Sequence, residues 1–133
     1  MGETRLARVF DGRTPQNRPV LGPDRPPLID AAERRQVVAF LDGGVVLLGG
    51  GPLVADALDS EHAPVVPVGY ATDGTWIWSA SLRYYVAEHA ISPEPELLAH
   101  IRRCRYRAEV PSPGQVARAY SDLLAHFRRV TGA

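Results

Sequence analysis

Val65-Val66-Pro67-Val68-Gly69-Tyr70-Ala71-Thr72-Asp73-Gly74-Thr75-Trp76-Ile77-Trp78-Ser79 is the stretch that decides the fold. Two runs rich in β-branched and aromatic residues flank Asp73-Gly74, a pair whose positive backbone φ suits a two-residue type I′ turn. A hairpin follows, with Thr72 facing Thr75, Ala71 facing Trp76, Tyr70 facing Ile77 and Gly69 facing Trp78. Side chains alternate along a strand, so Trp76 and Trp78 share one face with Ala71, Gly69 and Pro67. Val66, Val68, Tyr70 and Ile77 take the other face and are core candidates. The two indoles are either core beneath a helix or an exposed recognition face, where Trp, Tyr and Arg dominate binding energy. Apolar residues on the opposite face favour core, because a middle-layer sheet needs cover on both sides. If exposed, the face binds a protein.

Outward from the hairpin, Val45-Val46-Leu47-Leu48 and Leu53 to Leu58 read as two further strands joined by Gly49-Gly50-Gly51-Pro52. Residues 4 to 10 suggest an N-terminal strand. Residues 11 to 27 hold five prolines, which predicts an irregular loop or arm. Asp30 with Glu33 matches a capping box ahead of Val37, Val38 and Leu41, so a helix runs from Ala31 to Leu41 and ends at Asp42-Gly43-Gly44, where glycine reaches left-handed angles. Three helices close the chain. Ser79 or Ser81 caps the first, Ser92-Pro93 opens the second, and Ser112-Pro113-Gly114-Gln115 is a capping box for the third, whose buried stripe is Val116, Tyr120, Leu123, Leu124 and Phe127. Four to five antiparallel strands, one N-terminal helix and three C-terminal helices make an α+β fold, in one domain over residues 1 to 133.

Composition bounds the function. With 133 residues, 45% apolar side chains and zero formal charge, one core forms without metal or disulfide. Cys104 is the single cysteine and has no partner for a disulfide. Arginines at 5, 8, 13 and 18 interrupt the first twenty residues, so no signal peptide is expected. No run has the length of a membrane span, and cytoplasm is the expected compartment. All fifteen basic residues are arginine, a bias that reads as GC-rich codon use in an actinobacterium. Balanced charge disfavours nucleic acid as a partner.

Motifs for chemistry are thin. Gly49-Gly50-Gly51 lacks the further glycine of a dinucleotide fingerprint and the lysine of a P-loop, so it reads as a turn. His62, His89, His100 and His126 fall on different elements with no helical metal spacing, and neither metal nor cofactor is expected. The serines sit where helix caps explain them. Arg102, Arg103, Arg105 and Arg107 surround Cys104 and Tyr106 and fit phosphate, an acidic protein surface or a solvated helix end. Trp76, Trp78, Tyr84 and these four arginines are the candidate partner-binding residues. An alternative is a ligand pocket between sheet and helices that joins His89 or His100 to Asp56 and Tyr85.

Thr72-Asp73-Gly74-Thr75-Trp76-Ile77-Trp78, Tyr84-Tyr85, Glu88-His89 and the run from Pro93 to Arg102 together resemble a segment of small actinobacterial immunity-type proteins of polymorphic toxin loci. The resemblance spans Val65 to Arg107, about a third of the chain. It implies a non-enzymatic protein that binds a toxin domain and blocks its active site. It says nothing of oligomeric state.

Overall fold

The computed structural model describes residues 4–61 and 63–131 and has the expected α+β character. In chain order come β1 (Arg5–Leu6), β2 (Gly12–Arg13), β3 (Pro19–Val20), α1 (Ala31–Asp42), β4 (Val45–Leu48), β5 (Tyr70–Thr72), β6 (Trp76–Ser79), α2 (Ala80–His89), α3 (Pro95–Arg103) and α4 (Pro113–Thr131). The main sheet runs β1-β6-β5-β4, and β2-β3 form a separate ribbon. One pairing departs from an antiparallel sheet: β1 runs parallel to β6, with Arg5 opposite Trp76 and Leu6 opposite Ile77. Parallel neighbours need a long crossover, and everything between β1 and β6 supplies it.

The reversal between β5 and β6 is wider than a two-residue turn. Tyr70 faces Ser79, Ala71 faces Trp78 and Thr72 faces Ile77. Side chains stabilise the longer loop. Thr72 Oγ1 donates to the Trp76 carbonyl at 2.7 Å and accepts the Gly74 N–H at 2.9 Å. Asp73 Oδ1 accepts the N–H groups of Thr75 and Trp76 at 3.0 and 2.9 Å, the local bonding that makes Asp a turn residue. The register moves by two positions, so no side chain changes face. Trp76 and Trp78 therefore stay on the side of Ala71.

Other strand expectations shrink. Over Leu53 to Leu58 the only ladder contact among the described residues is the bridge between Val54 and Val66. The run from Val65 becomes regular only at Tyr70, because Pro67 has no N–H to donate and Gly69 takes a φ of 121°.

Each face of the sheet is covered by helices. Trp76 and Trp78 pack with Val37, Phe40, Leu82, Val86 and Ile101 from α1, α2 and α3. On the other face Ile77 packs with Ala119 and Leu123 of α4, joined by Tyr70 and Phe127. The stripe on α4 is thus centred on Ala119, and Tyr120 turns outward at 40% exposure.

The caps explain the helix limits. Asp30 accepts the N–H groups of Ala32 and Glu33, and Ser79 accepts that of Ser81. Ser112 and Gln115 bond reciprocally, the hydroxyl to one backbone N–H and the amide oxygen to the other. Two expectations fail locally. Gly43 ends α1 in a right-handed conformation. α3 starts at Pro95, and the preceding Glu94 turns its carboxylate to the Arg8 N–H at 2.7 Å.

The proline-rich stretch is ordered as a hairpin, with Gly12 opposite Val20 and Arg13 opposite Pro19. Arg25 fastens it. Its fully buried side chain donates to the Ser92 carbonyl through Nη2 at 2.7 Å and to Asp11 Oδ1 through Nη1 at 3.2 Å.

Candidate functional site

The tryptophans are not a docking face. Trp76 and Trp78 are 3% and 1% exposed, because α1 to α3 close over their side of the sheet. The Trp78 indole N–H is also committed, donating to the Leu41 carbonyl at 3.2 Å. Tyr84 is half-buried, and its hydroxyl donates to Asp56 Oδ2 at 2.7 Å.

The arginine cluster divides. Arg102 grips Glu33 with two bonds of 2.8 and 3.0 Å, and the Tyr106 hydroxyl adds a third at 2.6 Å. The Arg102 and Tyr106 hydrogen bonds, helped by the Arg102 charge, pull the Glu33 carboxyl down to about 2 against the lesser push of burial. Arg102 thus ties α3 to α1. Arg103 at the end of α3, and Arg105 and Arg107 on the turn after it, remain exposed. Arg105 and Tyr106 are left-handed, with φ of 54° and 61°.

Part of the alternative pocket does assemble. His89 Nε2 lies 2.5 Å from Asp56 Oδ2, and the Tyr85 hydroxyl accepts the Ala57 N–H at 2.8 Å. His89 and Asp56 border a depression of about 580 Å³ with Asp59, Val65, Tyr84 and Glu88, while Tyr85 lies outside its lining. Burial pushes the Asp56 carboxyl up, but hydrogen bonds from His89, Tyr84 and the Leu58 N–H outweigh it and hold it below the usual range. The same contact raises the Tyr84 phenol to about 12. Both Asp56 oxygens are engaged, Oδ1 by Leu58 and Oδ2 by His89 and Tyr84. The carboxylate therefore pins the 54–59 segment to α2.

His100 is not part of that site. Its Nε2 lies 2.7 Å from Asp73 Oδ2 and 3.7 Å from the Cys104 sulfur. Cys, His and Asp thus meet in a grouping invisible at the spacing 73, 100 and 104. The geometry is wrong for a nucleophile. A base must take the thiol proton on one ring nitrogen while the carboxylate holds the other, whereas here one nitrogen meets both. Burial, then the charges of Asp73 and Glu109, push the thiol up and keep it protonated. His62 lies outside the described residues.

The feature that sequence reasoning missed is the β4 edge. β4 ends the sheet, yet Val46 is 67% exposed and Val45 37%. Beside Val46 is an apolar depression of about 320 Å³ that reaches Ala71 and Trp78, with the Asp42–Arg83 ion pair at its rim. Across the strand a second, of about 470 Å³, is bordered by Leu47, Pro111, Pro113, Val116 and Tyr120. The available signal was a four-residue run of Val and Leu with no polar alternation. Gly50 is required by close approach, since a β-carbon there would stand 2.5 Å from the Val68 carbonyl oxygen. The glycine run is thus a tight chain passage.

Among the described residues, no group of three or more His, Cys, Asp or Glu side chains is placed to hold a metal, and no helix is long and apolar enough to cross a membrane. No family model, curated protein or solved structure matches this chain.

Proposed function

We propose that this chain is a protein-binding module that docks through the β4 edge and the arginine-bearing turn beside it. The observation that carries the reading is Val46, 67% exposed on a terminal strand between two apolar depressions. Contiguous exposed apolar surface marks sites that a partner covers, and burial yields about 25 cal/mol per Å² of apolar area removed from water. Exposed Arg103, Arg105 and Arg107 add a cationic border of the kind that steers an acidic partner. The buried tryptophans serve the docking only as the sheet's support.

The resemblance to immunity-type proteins supports a toxin domain as that partner, bound one to one with its active site covered. Co-expression with the product of the neighbouring gene tests this. The expected result is a stoichiometric complex, and protected cells, both lost with Val46→Lys. No complex, or one indifferent to that substitution, overturns the reading.

A second reading is a small-molecule site, favoured by the meeting of His89, Asp56 and Tyr84 at one depression. It ranks below the first because Asp56 is already fully bonded. Thermal stabilisation by a metabolite that is lost in His89→Gln would support it.

A further inference from the structure

Edge strands invite pairing with foreign chains, and proteins usually blunt them with lysine, proline, charge or a covering element. Val45-Val46-Leu47-Leu48 carries none of those residues, and the bulge between Val46 and Leu48 leaves Val45 and Val46 in register with Thr72 and Ala71. No described strand pairs its outer side. The backbone N–H and C=O groups on that side are therefore a template for one more strand. Successive side chains of an added strand point to opposite faces. They would enter in turn the depression beside Val46 and Trp78 and the one beside Leu47 and Val116.

Charge gives the added strand a direction. The connection from α3 to α4 crosses the N-terminal end of β4. Ala108 Cβ lies 3.2 Å from where a β-carbon on Gly43 would stand, and Pro111 and Pro113 border the second depression. That connection and the last residue of α3 present exposed Arg103, Arg105 and Arg107 against one exposed carboxylate, Glu109. Asp42, at the same end, is already paired with Arg83 at 3.0 Å.

Resting on the docking reading above, we propose that β4 receives an extended segment of a partner protein as a fifth, antiparallel strand, apolar where it meets both depressions and acidic at its C-terminal end. Antiparallel pairing is the more stable arrangement per residue, and it brings the C-terminal end of the guest to the start of β4, where the arginines are. Main-chain bonds supply affinity and the two depressions supply selectivity. The acidic end adds a component that salt screens.

The probe is a labelled peptide of valines and threonines ending in glutamates, titrated against the full chain by fluorescence anisotropy. Saturable binding is expected. It should weaken by about tenfold or more in Val46→Lys, a change of about 1.4 kcal/mol, and several-fold in Arg105→Glu/Arg107→Glu. Unchanged thermal unfolding of both variants shows that they fold. Equal binding by a peptide N-methylated at alternate backbone nitrogens overturns strand addition, as does failure of the parent peptide to bind. Equal binding by a peptide ending in lysines overturns the acidic assignment. Self-association that Val46→Lys abolishes gives the edge to a second copy, and the proposal falls. If a protein partner is lost with Val46→Lys while no peptide binds, strand addition fails and the docking reading stands. A partner retained by Val46→Lys removes the docking reading itself.

Discussion

The Trp78 indole occupies the space that a side chain on Gly44 would need: a β-carbon there would lie 2.5 Å from Cζ2 of the ring and 3.1 Å from the Thr72 carbonyl oxygen. Gly44 is not left-handed, so contact and not backbone conformation demands glycine. Trp78 packs against Phe40, with ring centroids 5.5 Å apart, and its indole N–H is held by the Leu41 carbonyl, so displacement of the ring is opposed.

Gly44→Ala is therefore expected to destabilise. Overpacking costs about 1–3 kcal/mol, and the reduced freedom of the unfolded chain returns about 0.4–1 kcal/mol. A net loss of about 1–2 kcal/mol should appear in denaturant unfolding, together with a changed indole fluorescence. An unchanged midpoint would contradict the packing.

Arg25→Met should loosen the 11–27 segment. It leaves the Ser92 carbonyl without its donor and takes from Asp11 one of two cations, Arg8 remaining at 3.2 Å, and breaking a buried charged network costs about 3–5 kcal/mol. Asp11 keeps the Gly22 N–H at 2.6 Å, which places the loss toward the lower figure. Amide exchange in β2 and β3 is the direct readout, and protection equal to that of the parent chain would refute the fastening.

Acid should unfasten α1 from α3. The Glu33 carboxyl is lowered from 4.5 to about 2 in the folded chain. A depressed carboxylate contributes stability that is complete above its unfolded value and is lost as pH falls through the folded value. The window is therefore between 4.5 and about 2. Arg102 is half exposed, so solvent screening holds the effect to about 1–2 kcal/mol. Glu33→Gln should flatten the fall in stability across that window, and equal slopes would reject the assignment. Asp56, lowered by its bonds to His89, Tyr84 and Leu58 against the push of burial, contributes with the same sign.

Ala90→Gly should stabilise. Ala90 ends α2 at a φ of 53°, where a β-carbon costs about 1–2 kcal/mol. Glycine's extra freedom when unfolded offsets about 0.4–1 kcal/mol of the gain, leaving about 0.5 kcal/mol. A lower unfolding midpoint would show that the alanine methyl is worth more in packing than in strain.

Local chemistry was legible. Asp30, Ser79 and the Ser112/Gln115 box were readable because a cap involves only neighbours in sequence. The hairpin was legible as a reversal but not in length. Thr72 and Asp73 hydrogen-bond to the loop they begin, and that outweighs the preference of Asp-Gly for two residues. The sequence left His89 or His100 open as the partner of Asp56, and the fold pairs Asp56 with His89 and Asp73 with His100. Nothing in sequence separation tells which imidazole meets which carboxylate.

From the order of residues alone came the α+β class, the helix starts and the sharing of one face by Trp76 and Trp78, since each follows from periodicity or from bonds spanning a few residues. Whether that face met water, and which strand was left at the sheet's edge, depended on β1 pairing with β6 and on α1 to α3 closing over the indoles. Those are long-range contacts, made by apolar surfaces that fit one another in space, and a one-dimensional pattern does not encode which surface will be covered last.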